Sequence, residues 1–186
     1  MQFLNSFKEP LTFIDESEWT FFDLWTLCDY LEGAPNKDKN SLAKYLDIEK
    51  ILSENEIENP GVKYHNFHTT GISIRFFTNS PSVIVKAEIR RPYSYKNVNM
   101  CCTHGFDVYA TNNQETTHIM AIAPTEPHRV FAEQVNLHNP TDVQIYFPTY
   151  NEVVSFCLGI KLGACLLPPS PRPNNDVICI YGNSRT

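Results

Sequence analysis

The strongest constraint on this chain is the rhythm of its second half. From residue 62 onward, short runs of β-branched and aromatic residues are separated by turn residues at intervals of about eight to twelve positions. In Gly71-Ile72-Ser73-Ile74-Arg75-Phe76, the residues Ile72, Ile74 and Phe76 fall on one face. Runs at 83–89, 106–109, 118–122, 143–147 and 153–160 follow. They are divided by Thr78-Asn79-Ser80-Pro81, Arg91-Pro92, Asn112-Asn113, Thr125-Glu126-Pro127 and Asn139-Pro140. Short, evenly spaced strands without a long helix between them predict a mainly β fold, an antiparallel, jelly-roll-like sandwich. Alternation gives each strand one dry and one wet face.

Two segments stand outside this rhythm. Residues 1–61 read as an N-terminal extension packed on the sandwich. Within it, Leu42, Tyr45, Leu46, Ile48 and Leu52 partly follow helical spacing before Pro60-Gly61. The aromatic residues Trp19, Trp25 and Tyr30 read as core rather than as a sugar-stacking platform. At the other end, residues 168–175 open with PPSPRPN, whose prolines cannot join a sheet interior and favour a stiff, extended connector. The sandwich is therefore expected over 62–167 and the linker over 168–175. Residues 176–186 would begin a second domain. The run Val177-Ile178-Cys179-Ile180 is apolar on both faces, as suits the first, parallel strand of an α/β sheet covered on both sides.

Composition narrows the function. The 186 residues carry a formal charge of −6, which argues against nucleic acid as the main partner. A small basic group at Lys86, Arg90, Arg91 and Lys96 reads as a solvated strand face. No apolar run approaches the length of a transmembrane helix. The N-terminus has no signal-peptide pattern, so if Met1 is the native start the expected location is cytoplasmic. The six cysteines contain no C-x-x-C and read as reduced thiols. His65, His68 and His104 do not assemble a metal-ligand spacing and read as surface or turn residues. No cofactor and no metal are expected.

One small motif carries possible chemistry. The apolar run at 177–180 ends in Tyr181-Gly182-Asn183-Ser184. A Gly-x-Ser bend after a strand exposes the serine hydroxyl. Its backbone N–H can also help hold an oxyanion. Taken alone, the tripeptide is also a common turn.

In context, VICIYGNSRT resembles the nucleophile block of SGNH (GDSL-type) hydrolases. A branch of that family has an N-terminal β-sandwich with a Gly-x-Asp-Leu-Tyr signature. Gly105-Phe106-Asp107-Val108-Tyr109 is similar to it, with valine for leucine. The stretch HTTGISIRFFTNSPSVIVKAEI resembles the branch's first strand pair, and FPTYNEVVSFCLGI its last hairpin. Asn183 stands where the family motif has aspartate.

The resemblance implies a serine esterase acting on acylated, often acetylated, carbohydrates or other small esters. Ser184 would be the nucleophile. A histidine oriented by an aspartate, from a late Asp-x-x-His block, would be its base, and a glycine and an asparagine from middle blocks would complete the oxyanion site. Those blocks are not among these 186 residues, so the fragment itself is expected to be inactive, its partner being the missing α/β catalytic domain. Asp107 and Tyr109 lie two apart on one strand and so share a face. They could bind substrate or meet that domain, or they could be structural, with Asp107 accepting from turn N–H groups and Tyr109 in the core. The alternative function is a stand-alone carbohydrate-binding sandwich without catalysis.

Overall fold

The computed structural model describes residues 15–34, 65, 67–91, 96–124, 129–138 and 140–172. The expected helix around 42–52 and the apolar run at 176–181 lie outside these residues. Among the described residues the chain forms strands β1 (Trp19–Asp23), β2 (Leu31–Glu32), β3 (Ser73–Thr78), β4 (Ser82–Ile89), β5 (Phe106–Asn112), β6 (Glu115–Ile122), β7 (Val130–Asn136), β8 (Thr141–Tyr146), β9 (Val153–Lys161) and β10 (Leu166–Leu167). One short helix, α1 (Met100–His104), precedes β5. It is capped by Asn99, whose side chain accepts from the Cys101 N–H. None of the described helices is long and apolar enough to cross a membrane.

The strands make two antiparallel sheets. The four-stranded sheet runs β1-β9-β4-β7. In the six-stranded sheet the order is β10-β3-β8-β5-β6, with β2 also paired to β3. Every pairing is antiparallel. The expected mainly β, antiparallel sandwich is the observed fold, and neither sheet closes into a barrel.

Period-two alternation explains the packing. Ile74, Phe76, Val83, Val85, Ala87, Phe106, Val108, Val143, Ile145, Phe156, Leu158 and Ile160 project inward from both sheets and form one buried cluster. Phe106 sits in its middle, with ring centres 5.3 Å from Phe147 and 5.7 Å from Phe156. Each such ring withdrawn from water contributes roughly 2–3 kcal/mol.

The segment before the sandwich takes part in it. Residues 19–23, within the stretch read as an N-terminal extension, pair with β9 from Trp19↔Lys161 to Asp23↔Cys157. The Phe21 ring then lies over Gly159, where a methyl group would come within 2.6 Å of it. Lys86 Nζ lies 4.0 Å from the centre of the same ring and is hydrogen-bonded to Glu16 Oε1. This corrects the reading of Lys86 as part of a solvated basic face: it is 1% exposed. Arg90 does lie at the surface, but it is engaged by Glu152 through two bonds of 2.9 Å.

The far hairpin is tied by one side chain. Asn151 is buried, accepts from the N–H groups of Arg91 (3.2 Å) and Glu152 (3.0 Å), and donates to the Arg91 carbonyl at 2.7 Å. Its own carbonyl accepts from the Thr69 N–H at 3.0 Å. The Tyr-Asn-Glu turn is thus a structural knot joining three separate loops.

Candidate functional site

The sequence Gly105-Phe106-Asp107-Val108-Tyr109 can be read residue by residue. Gly105 ends α1 with an extended backbone, φ −83°. A methyl group there would stand 2.3 Å from the Cys101 carbonyl oxygen, so the helix can run this close to β5 only if the position is glycine. Phe106 and Val108 point into the core and are fully buried. Asp107 and Tyr109 alternate with them and point out of the six-stranded sheet. The structural alternative, a turn-bonded Asp107 beside a core Tyr109, does not describe this arrangement.

Neighbouring strands add side chains to that outer face. Asp107 is opposite Tyr146, and Tyr109 opposite Gln144, across β8. On the other side the register with β6 slips between Val108 and Tyr109, so that Val108 opposes Met120 while Tyr109 opposes His118. The slip leaves Ile119 as the extra residue of a β-bulge. Ile119 and Met120 both pack against the core, and His118 turns outward. His118 Nε2 then lies 3.4 Å from Asp107 Oδ1, with the two side chains 47% and 49% exposed. The Tyr109 ring stands edge-on to both His118, at 5.0 Å between centres, and Tyr146, at 5.7 Å. Tyr146 is 38% exposed.

The result is a half-exposed carboxylate–imidazole pair flanked by two phenols. Such a patch can accept and donate hydrogen bonds and can offer ring faces to an apolar or carbohydrate surface. Among the described residues no hydrogen bond joins a serine or cysteine to the Asp107–His118 pair. His118 and Tyr146 were not singled out from sequence. The available signal was the pair Ile119-Met120, two consecutive apolar residues that break strand alternation.

His68 and His104 are buried, which corrects the surface part of their reading as surface or turn residues. Burial, then the nearby His65 and Arg91, pushes the His68 imidazole down to about 4. The rings of His65 and His68 meet edge-on with their Nδ1 atoms 3.2 Å apart. His104 is likewise held below its ordinary value by burial. No group of three or more His, Cys, Asp or Glu that could hold a metal occurs among the described residues. The five described cysteines are free thiols. Burial raises Cys157 to about 11, which makes it a poor nucleophile. Ser184 lies outside the described residues.

The chain's exit runs over the same face that carries Asp107 and Tyr109. β10 pairs with the end of β3 through Leu166↔Thr78 and Leu167↔Phe77. The chain then steps onto the outer side of the sheet, where the Ser170 N–H donates to Asp142 Oδ1 at 2.8 Å. Arg75 Nη2 donates to the Ser170 carbonyl at 2.6 Å. Arg172 reaches Glu32 on β2.

Comparison with known proteins agrees with this architecture. The GxDLY family profile, described as the N-terminus of SGNH hydrolase-type esterases, matches residues 41–166. A protein described as a GDSL-like lipase from Bacteroides ovatus superposes with a TM-score of 0.66 at 18% identity, over 82% of this chain and 43% of that one. The salicylyl-acyltransferase SsfX3 from a tetracycline biosynthetic pathway superposes with a TM-score of 0.54 at 16% identity, over 83% of this chain and 40% of that one. At these identities the likeness is one of fold. The chain spans about two fifths of the length of each of these proteins, 43% and 40%. None of the curated proteins matches it.

Proposed function

Because this chain belongs to the GxDLY family, the N-terminal domain of SGNH hydrolase-type esterases, we propose that it is the accessory sandwich of a serine esterase. In this reading an α/β catalytic domain starts near residue 176 and Ser184 is its nucleophile. The Ser184 hydroxyl attacks the ester carbonyl and passes its proton to a histidine base. The alcohol leaves with that proton, and water then releases the acid from the acyl-serine. The substrates are acylated, chiefly acetylated, carbohydrates or other small esters. Asp107 and Tyr109 face the catalytic domain and border its substrate. The observation that carries the reading is the family match over residues 41–166, in a chain whose sequence continues to Gly182-Asn183-Ser184.

The 186-residue chain alone should be inert, because the oxyanion-donating and base-bearing blocks are not in its sequence. A serine without its base keeps little of a triad's effect. Hydrolysis of acetyl esters would be compared for three proteins: this chain, the chain extended through its downstream coding sequence, and the extended chain with Ser184→Ala. Activity is expected in the extended protein only, with Ser184→Ala lowering it by about 10³-fold or more. Equal rates for the extended protein and its Ser184→Ala variant would remove Ser184 from the mechanism. Glycan binding by this chain, with no hydrolysis by the extended one, would favour the stand-alone binding module.

A further inference from the structure

We propose that Ser170 and Arg172, with Asp142, Arg75 and Glu32, form a clasp that positions the domain following the sandwich. The inference rests on the reading that a catalytic domain follows, and it deepens that reading by naming the residues that limit where the domain can begin. In the stretch 168–172, Pro-Pro-Ser-Pro-Arg, the serine and the arginine are the two residues that are not proline. Both are anchored. The Ser170 N–H donates to Asp142 Oδ1 at 2.8 Å, and its carbonyl accepts from Arg75 Nη2 at 2.6 Å. Arg172 pairs with Glu32, whose other carboxylate oxygen lies 3.8 Å from Arg75 Nη1. One carboxylate thus gathers both guanidinium groups. The prolines around these anchors hold φ near one value and have no N–H to bond elsewhere.

The sheet surface is shaped to this contact. Asp142 on β8 and Arg75 on β3 alternate with the inward Val143, Ile74 and Phe76, and so lie on the outer side of the six-stranded sheet. Asp142 is only 9% exposed there, and the Arg75 side chain 15%. On another part of the same face, Asp107 and His118 are about half exposed. Taking a carboxylate out of water is costly unless it is hydrogen-bonded. The Ser170 N–H supplies that bond, so the exit is fixed to the face rather than resting on it.

The clasp shortens the tether. In the proposed enzyme the catalytic domain starts near residue 176. Released at Leu167, about nine residues could carry that start up to about 31 Å away, whereas from Arg172 about four residues reach about 14 Å. The volume open to the next domain shrinks roughly tenfold, and the effective concentration of one folded unit beside the other rises by the same factor. The two units then share one preferred arrangement instead of many.

The test uses the chain extended through its downstream coding sequence, measured by small-angle X-ray scattering. Ser170→Pro combined with Arg172→Ala cuts the clasp: the first removes the N–H yet keeps an extended backbone, and the second removes the ion pair with Glu32. Ser170→Ala keeps both backbone contacts and is the control. Thermal melts verify that each variant folds. The wild type and the control should give the same compact distance distribution. The cut variant should give a broader one, with a radius of gyration larger by several ångströms. Should Ser170→Pro unfold the sandwich, Arg172→Ala alone is read in the same way, with a smaller shift expected. Two results would overturn the proposal: no difference between the wild type and the cut variant, or a control that opens as far as the cut variant does. The readout needs no catalysis. An extension that encodes no folded domain would remove the reading beneath the proposal, and the proposal with it. A folded, active extension whose scattering ignores the cut would remove the clasp alone.

Discussion

Asp107 and His118 face each other across a β-bulge, Oδ1 to Nε2 at 3.4 Å, on the solvent side of the six-stranded sheet. Both side chains are about half exposed, so their pairing stabilises the fold by less than about 1 kcal/mol. Asp107→Asn in this chain should shift the urea midpoint barely at all. Under the proposed function, in which this carboxylate faces a catalytic domain, the same change in the extended protein should lower esterase kcat/KM. A large stability loss in the isolated chain with unchanged kinetics in the extended one would return Asp107 to a purely structural role.

Gly105 is the opposite case. A methyl group there meets the Cys101 carbonyl oxygen at 2.3 Å, and backbone cannot swing aside as a flexible side chain can. Gly105→Ala should destabilise the sandwich by roughly 1–3 kcal/mol, as overpacking does. At about 2–4 °C per kcal/mol for a chain of this size, the shift is readable in a thermal melt. An unchanged melting temperature would show that α1 can move away from β5 without cost.

These two residues mark what could and could not be read from sequence. Strands such as β3 and β8 were legible because Ile72-Ser73-Ile74 and Val143-Gln144-Ile145 alternate, and alternation is a local property. The strand at 19–23 was not, since Phe21-Phe22 breaks alternation and its partner lies some 140 residues away, at Gly159 and Leu158. A separation of 70 residues, from Glu16, hid the burial of Lys86. A lysine in a strand reads as solvent-facing until Phe21 and Glu16 close over it from the far end of the chain. Within the site, the shared face of Asp107 and Tyr109 followed from their spacing. His118 entered it only through a bulge, which depends on how two strands align.

The buried ammonium of Lys86 makes an asymmetric prediction. Its charge is 1% exposed, while its partner Glu16 is 48% exposed. Glu16→Ala would strand a desolvated charge, at a cost of about 1–3 kcal/mol, whereas Lys86→Met removes the charge along with the need for a partner and should be nearly neutral. Chemical denaturation of the two variants tests this. If Lys86→Met proved the more damaging, the pair would be contributing net stability rather than offsetting its own burial.

Asn151 should tolerate even an isosteric change poorly. Asn151→Asp keeps the shape but replaces the Nδ2 donor, which lies 2.7 Å from the Arg91 carbonyl, with an acceptor facing an acceptor. The site is buried, so the loss should be about 1–3 kcal/mol at neutral pH. The loss should shrink in acid, where a protonated carboxyl can donate again. A variant as stable as the wild type at pH 7 would mean that the three loops are held without this side chain.

His68 predicts how the fold responds to mild acid. Its folded value is about 4, below the ordinary 6.5, and burial is the main cause. Above pH 6.5 the ring is neutral in both folded and unfolded chains, and the stabilising difference is fully present. As pH falls from 6.5 towards 4, the unfolded chain takes up a proton that the folded chain refuses. Unfolding is then favoured by up to about 3 kcal/mol for this group. His104, depressed for the same reason, acts in the same direction. Urea midpoints should therefore decline between pH 6.5 and 4, and His68→Gln should flatten that decline without abolishing it. Superimposable pH profiles for the wild type and His68→Gln would mean that water reaches the ring and that burial does not hold its proton off.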